Sequence, residues 1–321
     1  MALLEVKLRP LGPWRTGHAA GDRERVDPVY HSDAVFSAIT LSMQSLGWLP
    51  EWLAATAAAT GESAVRFSSW FPYIGKTRLV PPPRTMWPPA GAGKLYLEAA
   101  GLAPLELIGA RSVDETKWTV DAVSECVVPA GSAPPFSLLV RSGAAVDRFS
   151  GSNEAHHIAG LEFAPNAGWW GLIQILDESW TDRVKSAFRL AADSGFGGKR
   201  SQGWGRTETP QFSDAASLFP AGDPARWWLL SLYSPDTADA VDWTAGDYAT
   251  TTRGGWTAGA GGASAKKHVR MVSEGSVLVA KKLCGRSVDV APEGYPHPVY
   301  RCGFALAVSL PAVELPGETA G

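Results

Sequence analysis

Between Gly195 and Arg206 the chain reads GFGGKRSQGWGR, with five glycines, three cations and no acidic residue. Glycine weakens the interior of a helix or a strand, so this run must be a connection. Before it, Val184, Ala187, Phe188 and Ala191 recur at helical spacing behind a capping-box pair, Ser179 and Asp182, and Gly195 stands where such a helix would stop. After it, TETPQF reads as a short strand. Helix, loop, strand is the reverse of the strand, loop, helix order of a dinucleotide-binding fingerprint, and excludes that assignment. Because Gly195, Gly197, Gly198, Gly203 and Gly205 permit positive φ and carry no Cβ, the loop is expected to turn backbone amides toward an anion. Lys199, Arg200 and Arg206 add charge-assisted bonds to phosphate, Ser201 adds a hydroxyl, and Phe196 and Trp204 offer rings on which unpaired bases stack. The competing reading is a solvated helix-to-strand turn; the density of glycine and cation favours the anion site.

The rest of the chain sets this loop in a repeated pattern. In MALLEVKLRP, Leu4, Val6 and Leu8 alternate with polar residues, the period of a half-buried strand. A loop from Pro10 to Tyr30 then leads to Ser32 and Asp33 as candidate N-caps, a helix carrying Val35, Phe36, Ile39, Met43 and Leu46, and Gly47 as its stop. VRFSSWFPYI and GWWGLIQIL read as strands, separated by a long insertion that begins with the proline-rich LVPPPRTMWPPAGAG and continues through extended arms such as LLVRSGAAVDRFSG. The order is βαβ, an insertion, then βαβ, the connectivity of a ferredoxin-like or RRM-like domain. The pattern breaks near LFPAGDP. ARWWLLSLYSP, HVRMVSEGSVLVA and YRCGFALAVSL then predict a second, mainly β, domain, in which GGWTAGAGGASA reads as a flexible loop that orders on contact with a partner.

At 321 residues and 45% hydrophobic content the chain is long enough for two such domains. The net charge of -3 excludes a uniformly basic surface, so nucleic-acid contact must be local. From Arg253 to Arg286, Arg253, Lys266, Lys267, Arg270, Lys281, Lys282 and Arg286 face one acid, Glu274, a segregation that fits a polyanion site and equally a solvated charged face. Cys126, Cys284 and Cys302 form no paired metal-ligand spacing and read as small buried thiols, so neither a metal nor a cofactor is expected. Most of the fourteen tryptophans are expected in the core or an interface. The N-terminus does not read as a signal peptide and no run approaches the apolar length of a membrane span, so a cytoplasmic protein without membrane contact is expected. Gly75, Lys76 and Thr77 end like a phosphate-binding loop, but Trp70 stands where that motif needs its first glycine. Acid-base cleavage of RNA would require positioned histidines; His18, His31, His156, His157, His268 and His297 form no diagnostic pattern.

The glycine-rich loop resembles that of the RAMP superfamily, the repeat-associated proteins of CRISPR systems. HSDAVFSAI, VDRFSGSNEAHH, RGGW with KKHVRMVSEGSVL, and VYRCGFAL follow in the order found in the fourth subunits of type III-A Csm complexes, to which they are similar. The segments 81–135 and 221–250 match least. The resemblance implies an α+β chain of tandem ferredoxin-like (RRM-like) RAMP domains, residues 1–217 with an inserted thumb and residues 223–321. It further implies a non-catalytic subunit that grips the 5′ tag of the crRNA and docks on the large polymerase/HD signature subunit and the backbone RAMP subunit. By carry-over, Gly195 to Arg206 line the tag, His31, Ser32 and Asp33 sit near it, and Asp147 and Arg148 belong to the thumb. Lys266 and Lys267, from the basic stretch, complete the expected RNA site. The alternatives are a RAMP endoribonuclease using His18 or His31, an equivalent subunit of another type III subtype, and a scaffold that binds only protein.

Overall fold

The computed structural model describes residues 1–17, 25–58, 62–89, 100–110, 112–146, 153–219, 222–259 and 262–310. Strand β1 (Ala2–Leu8) buries Val6 and Leu8 as its alternation requires. Its other face buries Glu5, whose carboxylate accepts from Arg78 at 2.6 and 2.8 Å, so the charge leaves water with a bidentate partner. Helix α1 (Ser32–Ser45) buries Val35, Phe36, Ile39 and Met43, each worth roughly 1.5–3 kcal/mol of apolar burial. Gly47, at φ 80°, follows its end. The N-cap is His31, without a side-chain capping bond, so Ser32 and Asp33 lie inside the first turn instead of capping it. A second short helix, α2 (Leu49–Thr56), which the periodicity did not reveal, seats Trp52 against Phe36.

The expected strand over VRFSSWFPYI is two strands, β2 (Val65–Phe67) and β3 (Phe71–Ile74), interrupted where Ser69 and Trp70 turn their amides to Leu230 and Tyr30. The Gly75–Lys76–Thr77 segment is the hairpin turn from β3 into β4 (Thr77–Val80), with Gly75 at φ 57°. The insertion supplies β5 (Ala103–Pro104), the hairpin β6 (Trp118–Asp121) with β7 (Cys126–Pro129), and a long ribbon of β8 (Phe136–Val146) and β9 (Asn153–Phe163) paired throughout. Strand β10 (Ala167–Ile175) is buried on both faces and reads as a continuous apolar run for that reason. Helix α3 (Thr181–Ser194) follows a 3-10 turn capped by Asp177, which takes the role expected of Ser179. Strand β11 (Gln211–Asp214) closes the sheet, whose order is β11-β1-β10-β3-β4-β5 with β2 also on β10. Taken in chain order, its four principal positions lie fourth, first, third, second, with every neighbour antiparallel.

The second half contains β12 (Asp223–Leu229), β13 (Asp242–Asp247), β14 (Thr250–Arg253), β15 (Trp256–Gly259), β16 (Gly262–Ala265), β17 (Val269–Val272), β18 (Val277–Val279), β19 (Val288–Asp289), β20 (Tyr300–Arg301) and β21 (Ala307–Leu310). Its main sheet, β13-β18-β12-β21, repeats the fourth, first, third, second order read from the other edge. No α-helix joins these strands among the described residues; the connection carries the ribbons β14–β17 and β15–β16 instead. Within the glycine-rich 254–265 stretch, expected as a flexible loop, Trp256–Gly259 and Gly262–Ala265 therefore pair as antiparallel strands. Glycine and alanine hide the alternation by which a strand is read, while their small size permits the pairing.

One continuous core joins the halves, from Val6 and Phe188 to Trp228, Phe304 and Leu310. Trp14, Trp52, Trp70, Trp169, Trp170, Trp180, Trp204 and Trp228 are all buried. The three cysteines are free, and burial pushes the thiols of Cys126 and Cys302 up to about 12. No helix among the described residues is long and apolar enough to cross a membrane.

Candidate nucleic-acid interface

Gly195 ends α3 at φ 89°, and the next side chain turns inward. Phe196 is completely buried, stacked on Trp14 at 5.5 Å and edge-on to Trp70 at 4.9 Å. The loop closes on itself where Phe196 N donates to Gly205 O at 2.9 Å. A Cβ on Gly205, itself at φ 75°, would lie 1.9 Å from Phe196 O, and one on Gly197 would lie 2.3 Å from Arg15 O. These glycines thus serve close backbone approach within the protein. Gly195, Gly197, Gly198 and Gly205 donate their amides to Ala191, the Tyr30 hydroxyl, Arg15 and Pro13, so the expected outward-turned nest is not built from them.

What remains outside is the tip. Lys199 sits at φ 62°, residues Arg200–Gln202 form a single 3-10 turn, and Gly203 returns at φ 79°. Arg200, Ser201, Gly203 and Arg206 are exposed and Lys199 is half-buried. Trp204 is buried against Gly160 of the long ribbon, with the Arg141 guanidinium 5.4 Å above its ring. The base-stacking roles expected of Phe196 and Trp204 are corrected: both rings are core anchors that fix the loop, one to the aromatic cluster and one to the ribbon.

His31, Ser32 and Asp33 are likewise interior. The His31 ring lies 2.9 Å from Asp27 Oδ2 through Nε2 and 2.8 Å from Glu274 Oε1 through Nδ1. Burial opposes a charge on this imidazole, but the carboxylates of Glu274 and Asp27 outweigh it and push its pKa up to about 10. The Ser32 hydroxyl accepts from Leu232 N at 3.0 Å, and Ser32 N donates to Ser69 Oγ at 2.8 Å. Asp33 receives Arg253 at 3.0 and 3.1 Å and also Arg301. Burial would raise the Asp33 pKa, yet the two guanidiniums hold the carboxyl well below the usual carboxylate range. The three residues expected at the RNA surface join the first helix to the second half of the chain, and direct contact by them is corrected accordingly.

A cleft of about 550 Å³ opens between the glycine loop and the second half. One wall is Gly195, Gly197, Gly198 and Arg200; the adjoining wall is the small-residue face of α1 at Ala34, Ser37 and Ala38. Opposite stand Arg253 to Trp256, then Lys266 and His268. Among the described residues its ionisable lining, Tyr30 aside, is Arg200, Arg253, Lys266 and His268, with no carboxylate among them. Lys266 has its pKa lowered, first by burial and then by Arg301, against the opposing pull of Asp33. Trp256, 65% exposed, stands in this lining, and no signal in the low-complexity sequence around it marked it as a site residue.

The structure thus brings Arg200 of the loop and Lys266 of the basic stretch to one cavity, with Lys199 beside Arg200 in the tip. Lys267 and Arg206 are exposed outside that lining. The other cations of the basic stretch disperse: Lys282 pairs with Glu62, Arg270 bonds Thr250, and Arg286 bonds Pro235 O. Asp147, Arg148 and His18 lie outside the described residues.

Residues 223–310 match the family model of the CRISPR Csm4 C-terminal domain. Among solved structures, the chain is similar to one from a Csm3-Csm4 subcomplex of the type III-A CRISPR-Cas interference complex, with TM-score 0.63 and 15% identity, covering 96% of this chain and 98% of that one. A chain of a Csm1-Csm4 cassette in complex with pppApA matches with TM-score 0.59 and 17% identity over 97% and 98%. The cassette with cA4 gives TM-score 0.58 at the same identity and coverage. No curated protein matches the sequence. The structural likeness runs nearly end to end and gives the chain the fold of those Csm-complex chains, and residues 223–310 carry the CRISPR Csm4 C-terminal domain.

Proposed function

We propose that the chain is the non-catalytic, crRNA-binding subunit of a type III-A CRISPR effector complex, gripping the 5′ tag of the guide and docking on the large Csm1-type subunit beside a Csm3-type backbone subunit. The observation that carries this reading is the cleft of about 550 Å³ between the glycine loop and the second half of the chain, lined among the described residues by cations without a carboxylate. Phosphates fix the register of a bound strand, and a cleft with Arg200 and Lys266 in its walls, beside an Arg253 already paired with Asp33, suits them without any proton transfer. The repeated strand order of the two sheets supports tandem ferredoxin-like domains, residues 1–217 and 223–321, the second without an α-helix among the described residues. The β8–β9 ribbon supports the inserted thumb. The similar chains come from Csm1-Csm4 and Csm3-Csm4 assemblies, which supports the two partners and a place in the cytoplasm.

The endoribonuclease alternative loses its described candidate. His31 has both ring nitrogens engaged by carboxylates and a pKa near 10, so at neutral pH it carries its proton and has no lone pair with which to act as a general base.

The test is binding of single-stranded 5′-tag RNA by the purified chain, alone and with its large subunit, across a salt series, for wild type and Arg200→Ala/Lys266→Ala. Binding without cleavage, weakened in the double variant with a salt slope shallower by about 0.7 per lost phosphate contact, is the expected result. Unchanged binding would move the site elsewhere, and specific cleavage by wild type would make the protein an enzyme.

A further inference from the structure

We infer that Trp256 is the base-stacking residue of this cleft, its indole holding one unpaired nucleobase of a single-stranded RNA while Arg200 and Lys266 take the neighbouring phosphates. The inference rests on the RNA-binding reading and names the residue that sequence inspection placed elsewhere, at Phe196 and Trp204. Those two rings are sealed in the core, at 0% and 2% exposure, whereas Trp256 is 65% exposed in the cleft lining. An indole left in water beside cations is a stacking surface without its partner, and every base has a π face that fits it.

The ring is presented by a fixed frame. Trp256 pairs with Ala265 across the β15–β16 ribbon, and on the next rung Lys266 N donates to Gly255 O at 2.9 Å. Indole and ammonium therefore issue from adjacent rungs at the root of one ribbon. That root is tied inward, since Arg301 donates to Gly254 O at 2.7 Å while also serving Asp33. Trp256 and Lys266, both in the cleft lining, are thus held on one paired frame before any ligand arrives, an aromatic surface for a base and a cation for a phosphate. The exposed aromatics Trp243 and Tyr248 differ: they pack on each other at 5.1 Å and lie outside the cleft.

The experiment compares wild type, Trp256→Ala, Trp256→Phe and Arg200→Ala/Lys266→Ala for binding to single-stranded tag RNA and to a set of the same RNA with one abasic nucleotide each, over several salt concentrations. Trp256→Ala is expected to weaken binding roughly 5- to 150-fold with an unchanged salt slope, because stacking releases no counterions. Trp256→Phe should retain most of the affinity, and at one position the abasic RNA should bind the alanine variant no worse than intact RNA does. Wild-type affinity in Trp256→Ala, equal losses in the alanine and phenylalanine variants, or additive losses at every abasic position would each overturn the assignment. In those cases a weakened Arg200→Ala/Lys266→Ala variant would leave the RNA-binding reading standing. Absence of RNA binding by wild type, alone and with the large subunit, would overturn both.

Discussion

His31 Nδ1 lies 2.8 Å from Glu274 Oε1 across 243 residues of sequence, and this bond fastens the first helix of the chain to the turn between the β17 and β18 strands of the second half. Asp27 closes the other side of the ring, and Glu274 also accepts from the Ser69 hydroxyl. The imidazolium is therefore a buried cation between two carboxylates, part of the joint between the two halves of the chain.

That joint has a defined pH dependence. The His31 pKa is raised from 6.5 in the unfolded chain to about 10 in the fold, so its stabilising contribution is complete below about pH 6.5 and is lost as pH rises through about 10. Replacing it by glutamine removes one partner of a buried ionic cluster, a loss on the order of 3–5 kcal/mol. Urea denaturation of wild type and His31→Gln at about pH 6, 8 and 10 should show the difference in unfolding free energy shrinking steadily with pH. A difference constant over that range would mean that the ring is held neutral.

Asp33 pairs with two arginines at once, and the asymmetry orders the variants. Asp33→Ala leaves Arg253 and Arg301, both nearly buried, without a counter-charge, whereas Arg253→Ala leaves Asp33 still paired with Arg301. The first should cost about 3–5 kcal/mol and the second clearly less. Denaturation midpoints at neutral pH measure both; equal losses would show that the two arginines do not share the carboxylate.

Phe196 separates a core role from a ligand role. Its ring completes a cluster with Trp14, Tyr30 and Trp70, so truncation to alanine should destabilise by about 3–5 kcal/mol. Phe196→Leu retains most of the apolar volume, and its folded fraction should bind tag RNA with wild-type affinity. A selective loss of RNA affinity in this variant, with the denaturation midpoint preserved, would return Phe196 to the binding surface.

These sites show which features the sequence exposes. The β1 alternation, the helical faces of α1 and α3, and the glycine stops at Gly47 and Gly195 are local patterns, and the structure has all of them. The cleft was half legible, because the glycine-rich loop reads as a connection and its Arg200, like Lys266 of the basic stretch, stands out as a cation; both line the cavity. Which of its rings faces outward was not, since Phe196 and Trp256 are chemically alike on paper and differ only in what the fold packs around them. The second-half partners of His31, Ser32 and Asp33 lie 200 to 268 residues away, beyond any window of periodicity. Trp256 sits among glycines and alanines that mute the strand signal of its ribbon.

The loop's own glycines provide the last prediction, because two with the same backbone conformation should respond differently to a methyl group. Gly203 and Gly205 have φ of 79° and 75°, so alanine at either pays the left-handed penalty of about 1–2 kcal/mol. At Gly203 a Cβ meets nothing within 4 Å, and the cost should end there. At Gly205 it would lie 1.9 Å from Phe196 O, a backbone atom that cannot move without parting the loop from the aromatic cluster. Gly203→Ala should therefore keep RNA binding at a slightly lower melting temperature, while Gly205→Ala should lose more stability and also the cleft, because Arg200 is carried by the turn that this contact anchors. Melting curves and RNA titrations of both variants test the point: equal behaviour would mean that the loop's conformation, and not its close approach to Phe196, shapes the site.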